Sequence, residues 1–199
     1  MNQESHLISS VSSRAKKEVR NKGGIHSHEK IYLKTSGTDA SFALRVFVSE
    51  LFAGRRDIVF VRKEADASLI IGDKTLDDTA DELLVSVLCG TAASYLKVPE
   101  TRTIHPFSGI LRNEISAYAK YFGWNKETAE SSAAAVSTAS PVYSETPLLY
   151  GRVHDFLNEF SKDRPSAKYA LKNVTDKFHE KADILSSQIH NHERVNRYD

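Results

Sequence analysis

The sequence predicts an α/β fold: a short, mainly parallel sheet flanked by helices, with a helical C-terminal extension. Two strand–turn–helix segments carry this prediction. In the first, a β-prone run at residues 31–33 leads through the small residues 35–41 into a helical set of apolar side chains. In the second, the apolar run 68–71 breaks at Gly72 and a helix with apolar 3,4 spacing follows over residues 76–88. Successive units of this kind are typical of sheets covered by helices.

Composition limits the class of protein. Apolar residues make up 40% of the 199 positions, which is enough for a proper core. The single cysteine, Cys89, excludes an internal disulfide framework and a cysteine-built zinc site. A net charge of +1 means that any basic surface must be local. The chain has no run of about 18 apolar residues and no charged-then-apolar leader, so we expect a cytoplasmic protein with no membrane partner.

Two stretches in the N-terminal third leave alternative interpretations open. Residues 1–28 are polar and basic and run into Gly23 and Gly24, which indicates a loosely ordered lead-in or a surface helix stopped by glycine. Residues 57–61 are mostly β-branched or aromatic and favour a strand, with a helix as the alternative.

Three more helices are predicted after the segment at residues 76–88. Gly90 ends that segment, and the adjacent Cys89 is predicted to be a buried small hydrophobe. An extended stretch at residues 103–107 precedes a helix that Ser108 can cap and Gly123 can stop. Two apolar-striped helices then close the chain, with Phe156 and Phe160 in the stripe of the first.

These features divide the chain into four regions. Residues 1–28 are a basic flexible lead-in, residues 29–127 an α/β domain, residues 128–147 a mobile linker rich in small residues, and residues 148–199 the C-terminal helices.

Adjacent carboxylates stand where the second unit turns into its helix. Ligands of open α/β sheets sit beyond the carboxyl ends of the strands, so Asp77 and Asp78 lie where they could hold Mg²⁺ and, through it, a polyphosphate. The other interpretation is structural, since acids in a first turn complement the helix dipole and Thr75 with Asp78 resembles a capping box.

Four stretches, in order along the chain, are similar to the motifs of one protein family. Residues 36–41 are similar to an SGGxDS pyrophosphate loop, and residues 72–84 to a GHNxDD-then-helix element. Residues 105–119 resemble an RPL strand and its helix, and residues 164–169 an HPGTKY turn. In this order the four stretches resemble the PP-loop ATP pyrophosphatases, in the branch that thiolates tRNA uridines. The resemblance implies ATP and Mg²⁺ as possible cofactors, and a vestigial nucleotide site at Ser36, Gly37, Ser41, Gly72, Asp77 and Asp78.

The chain departs from this pattern at positions that bind phosphate or handle sulfur in the family. Thr38 stands for a loop glycine and should crowd the phosphate, while Ala40 stands for the loop aspartate. Asp73 and Lys74 replace the usual histidine and asparagine, and one cysteine cannot supply the family's sulfur-handling residues.

With these losses the chain resembles the non-catalytic subunit of the cytoplasmic tRNA 2-thiolation pair. The resemblance implies tRNA and a catalytic subunit as its partners. The alternatives are an active ATP-dependent tRNA-adenylating sulfurtransferase and a nucleotide-free structural interaction domain.

Basic side chains supply the candidate RNA contacts, namely Lys16, Lys17, Arg20, Arg55 and Arg56. Their alternative interpretation is an ordinary solvated surface. Because residues 1–24 hold few core-type side chains, we expect their removal to leave the domain folded.

Overall fold

A single parallel sheet organises the molecule, as the sequence predicts. The computed structural model describes residues 3–97, 99–125 and 147–195, with side chains described as far as residue 181. The sheet contains β1 (Lys30–Lys34), β2 (Val59–Phe60), β3 (Leu69–Gly72) and β4 (Arg102–Ile104) in the order β2-β1-β3-β4. Every pairing is parallel, so the carboxyl ends of all four strands meet at one edge.

Helices cover this sheet. Their bounds are α1 (Gln3–Asn21), α2 (Asp39–Leu51), α3 (Leu76–Leu88), α4 (Ala92–Tyr95), α5 (Arg112–Tyr121), α6 (Pro147–Asp163) and α7 (Ala167–Val195). The predicted helix at residues 76–88 is confirmed as α3, and the predicted strand at residues 57–61 shortens to β2. Within the described parts of the chain, no helix is both long enough and apolar enough to cross a membrane.

The main core lies between the sheet and helices α1, α2 and α5. Ile31, Leu69, Ile71 and Ile104 are almost completely buried in it. A second apolar cluster joins α3 to α6. The C-terminal helices therefore pack onto the α/β domain directly.

Helix α1 corrects the expectation of a loosely ordered lead-in. Val11, Ala15 and Val19 are at most 5% exposed and belong to the main core. The helix ends just before Gly23 and Gly24, whose φ angles of 89° and 69° suit glycine, so the glycine-stopped helix is the interpretation that holds. Removing residues 1–24 would take these side chains out of the core, so the structure gives no support to the expectation that the truncated domain stays folded.

Three smaller expectations also fail. Cys89 is exposed, because α3 ends with a turn at the surface. Helix α5 begins at Arg112, and the Ser108 hydroxyl donates to Glu18 of α1 (3.1 Å) instead of capping it. Phe156 and Phe160 of α6 are 56% and 45% exposed. The expected linker at residues 128–147 lies, but for residue 147, outside the described residues.

Candidate functional site

The two turns with sequence resemblance lie side by side at the carboxyl edge of the sheet. Lys34, the last residue of β1, is in register with Gly72, the last residue of β3. The loop at residues 36–41 and the turn at residues 73–78 begin from these two positions. Ser36 and Asp77 thus follow neighbouring strands at the same edge of the sheet.

A carboxylate of the chain itself fills the loop after β1. The Oδ2 atom of Asp73 accepts hydrogen bonds from the Ser36 N–H (2.8 Å), the Ser36 hydroxyl (2.8 Å) and the Ser41 hydroxyl (2.5 Å). Asp73 is only 8% exposed. One carboxylate oxygen therefore takes the donors that the sequence interpretation assigns to a phosphate.

Two other loop amides also have acceptors within the chain. The Ser41 oxygen accepts from the Gly37 N–H (2.8 Å) and the Thr38 N–H (3.2 Å). The Thr38 hydroxyl lies 2.9 Å from that of Ser36. The sequence suggests that Thr38 would obstruct a phosphate by its bulk. The structure adds a further obstacle, because the Ser36, Gly37 and Thr38 amides already have acceptors.

Asp77 forms a buried ion pair with Lys168. Its Oδ1 atom lies 2.5 Å from Nζ of Lys168, and its Oδ2 atom accepts from the Arg112 N–H (2.7 Å). Both side chains of the pair are less than 10% exposed. Lys168 also donates to Asn158 (2.6 Å), so this cluster ties α3 to α5, α6 and α7.

Asp78 makes the capping interaction that its spacing from Thr75 suggests. Its Oδ2 atom accepts from the N–H (2.9 Å) and the hydroxyl (2.7 Å) of Thr75, and its Oδ1 atom pairs with the Arg112 guanidinium. All four carboxylate oxygens of Asp77 and Asp78 therefore face N–H or O–H donors. Because Lys168 and Arg112 place positive charge against these carboxylates, the pair as arranged here does not favour a magnesium ion.

Two further acids on α3 are almost completely buried and paired. Asp81 lies 2.6 Å from Nδ1 of His154, and burial raises the Asp81 pKa against the opposing effect of that histidine. Glu82 lies 2.5 Å from Nζ of Lys74. Among the residues that the structure describes, no group of three His, Cys, Asp or Glu side chains is arranged to hold a metal ion.

Gly72 is explained by close packing against His105 and not by a backbone conformation that only glycine adopts. Its φ is not positive, but a Cβ there would lie 2.5 Å from Nδ1 of His105, which follows β4. Burial, with the nearby Lys74 cation, lowers the pKa of His105 to about 3. Its Nδ1 has no hydrogen-bond partner in the described part of the chain. Sequence reasoning treated His105 as the end of a strand and missed this contact.

The basic candidates separate into two groups. Lys16, Arg20 and Arg55 line one groove, whereas Lys17 and Arg56 are exposed but do not line it. Sequence spacing alone gave no reason to connect α1 with residue 55.

Comparison with known proteins shows a similarity of fold. No protein-family model matches the chain, and no curated protein matches its sequence. Among solved structures, it is similar to "U34-tRNA thiolase NcsA from Methanococcus maripaludis with its [4Fe-4S] cluster". The TM-score is 0.64, with 12% identity over 89% of this chain and 80% of that one.

The chain has a PP-loop-like fold. At this identity the likeness establishes the PP-loop-like architecture alone. What the edge of the sheet does in this chain must be argued from its own residues.

Proposed function

We propose that this chain is a non-catalytic PP-loop-like subunit for 2-thiolation of tRNA wobble uridines, which binds tRNA and a catalytic partner. The Asp73 carboxylate seated in the loop is the observation that carries the non-catalytic role. The fold shared with a U34-tRNA thiolase supports the connection to tRNA thiolation.

The loop contacts oppose nucleotide binding in two ways. A phosphate entering the loop must displace Asp73 from three hydrogen bonds, and bonds to a charged group contribute about 1.5–3 kcal/mol each. A displaced but nearby Asp73 would also repel the phosphate charge. The same contacts that stabilise the loop therefore weaken its affinity for ATP.

The missing sulfur chemistry supports the same proposal. The NcsA structure carries a [4Fe-4S] cluster, and protein cysteines are the usual ligands of such clusters. The present sequence contains Cys89 alone, so its own residues do not fit such a cluster. A partner with an intact loop and cysteines would supply both the reaction with ATP and the handling of sulfur.

Exposed aromatic side chains on α6 support the need for a partner. Phe156 and Phe160 stack with ring centroids 5.7 Å apart while remaining about half exposed. Aromatic residues are enriched in protein interfaces, so we place the catalytic partner on this face of α6.

The test is pyrophosphate release from ATP with bulk tRNA, measured with the chain alone and with a candidate catalytic partner. We expect no release by the chain alone and a stimulation of the partner. Ala40→Asp, which restores the loop acid, should remain inactive because Asp73 still occupies the loop. Robust tRNA-stimulated release by the isolated wild-type chain would contradict the non-catalytic role and favour the active adenylating enzyme.

A further inference from the structure

A groove of about 570 Å³ lies between α1 and the end of α2. Its polar lining consists of Ser9, Ser12, Ser13, Lys16, Arg20 and Arg55. None of the described residues that line it is an aspartate or glutamate, although the chain contains 26 acids in total. The side chains of this groove therefore offer hydrogen-bond donors and positive charge to a ligand.

The fold fixes the face of α1 that forms the groove. Ser9, Ser13, Lys16 and Arg20 follow one another at intervals of three or four residues, which places them on one side of a helix. Val11 and Ala15 hold α1 to the main core. The serine and cation stripe is thus part of a packed element, so its backbone is already ordered before a ligand binds.

The three cations of the groove differ in whether a carboxylate of the chain already pairs with them. Lys16 and Arg20 are exposed, and no side-chain ion pair occupies either of them within the described part of the chain. Arg55 is held by Asp57 (2.6 Å) and lowers the pKa of that carboxyl to about 2. Lys16 and Arg20 are therefore the two charges ready for an external anion, while Arg55 forms the wall opposite them.

We propose that this groove binds the phosphate backbone of tRNA, with Lys16 and Arg20 as the phosphate contacts and the serine hydroxyls as additional donors. This inference rests on the proposed function for the choice of RNA as the polyanion. Four residues of helix separate the two cations by about 6 Å along the axis, so they can contact neighbouring phosphates of one strand. Lys, Arg and Ser side chains are typical donors to phosphate oxygens, and such contacts position a nucleic acid without reading its sequence.

The structure offers a matched pair of variants for the test. Lys16→Ala with Arg20→Ala removes the two groove cations, and Lys17→Ala with Arg56→Ala removes two exposed charges outside it. Both double variants lower the net charge by two, and none of the four side chains is buried. Melting temperatures measured in parallel confirm that all proteins are equally folded.

Binding of bulk tRNA to the full chain is measured by fluorescence anisotropy over a range of salt concentrations. We expect the groove double variant to lose about 1.4–1.8 from the slope of log affinity against log salt, since each phosphate contact accounts for about 0.7–0.9. The control double variant should retain the wild-type slope. Ser13→Ala should weaken binding without changing the slope, because a neutral donor releases no counterion.

Several results would overturn the proposal that this groove binds the tRNA backbone. If both double variants lose the same slope, binding is diffuse surface electrostatics. Unchanged binding of the groove variant would reject this site and leave the proposed function intact. Failure of the wild-type chain to bind tRNA, alone and with its partner, would reject both the groove and the tRNA-binding role. Binding to anionic phospholipid vesicles without binding to tRNA would assign the groove to a different ligand.

Discussion

Two neighbouring turns at one sheet edge hold their carboxylates in different ways. The loop after β1 has an exposed tip at Ser36, Gly37 and Thr38, and three donors of Ser36 and Ser41 converge on one oxygen of Asp73. The acid pair after β3 is buried and held by cations from α5 and α7. The loop is blocked by an internal anion, whereas the acids have become part of the structural framework. Two turns that lie side by side can thus contribute very differently to the stability of the fold.

The largest effect should come from the buried acids. Asp77→Ala leaves Lys168 buried without its carboxylate, and breaking a buried pair in this way costs about 3–5 kcal/mol of unfolding free energy. Chemical denaturation of the full chain measures the loss.

Glu159→Ala is the control for Asp77→Ala, because the Glu159–Lys162 pair is exposed and should contribute less than about 1 kcal/mol. Equal losses in the two variants would show that the acid pair is not a structural centre. The same instability makes Asp77→Ala with Asp78→Ala unsuitable as a test of Mg²⁺ binding.

We expect the free energy of unfolding to fall in acid, because His105 is buried in its neutral form. Its pKa is about 3 in the folded protein and about 6.5 when unfolded, so the unfolded chain binds the proton first as pH falls. This contribution is complete above pH 6.5 and is lost between about pH 6.5 and 3, by at most about 1.4 kcal/mol per pH unit.

His105→Asn removes this titration, and denaturation curves at pH 7.5 and pH 5 measure the difference from wild type. Asp81, with a raised pKa, acts in the opposite direction in both proteins and cancels in the comparison. An identical pH dependence in wild type and variant would contradict the burial of a neutral His105.

A smaller difference should separate the two loop serines. Ser36→Ala removes one donor to the charged Asp73, at a cost of about 1.5 kcal/mol, the lower end for such a bond because Ser36 is exposed. Ser41→Ala removes a donor to Asp73 and the acceptor of two loop amides, so we expect a cost of about 2–3 kcal/mol. Thermal unfolding of both variants gives the order, and a larger loss in Ser36→Ala would refute the assignment of Ser41 as the centre of the loop.

Local pattern predicted the regular elements of this chain well. The 3,4 spacing of apolar side chains and the stop at Gly90 gave the bounds of α3, and the β-prone run at residues 31–33 gave β1. The failures concern burial, which depends on distant partners. The α1 segment looked peripheral because its core-type residues Val11, Ala15 and Val19 are spaced among charges, and only the packing against α5 and the sheet buries them.

The role of Asp73 was beyond local sequence reasoning for a similar reason. The contact with Ser36 joins residues 37 positions apart and depends on the register of Lys34 with Gly72. The sequence marked Asp73 as a departure from the family pattern, but without the register its acceptor role could not be inferred. The pairing of Gly72 with His105 likewise follows from adjacent strand ends.

The most direct test of the blocked loop is the melting temperature with ATP·Mg²⁺ and with pyrophosphate, for wild type, Asp73→Ala and Asp73→Asn. A ligand that binds only the native state must raise the melting temperature. We expect no rise for wild type, and a pyrophosphate-dependent rise for Asp73→Ala, which frees the hydroxyls of Ser36 and Ser41. A rise for wild type that equals that of both Asp73 variants would contradict the central claim that the chain's own carboxylate occupies the phosphate loop.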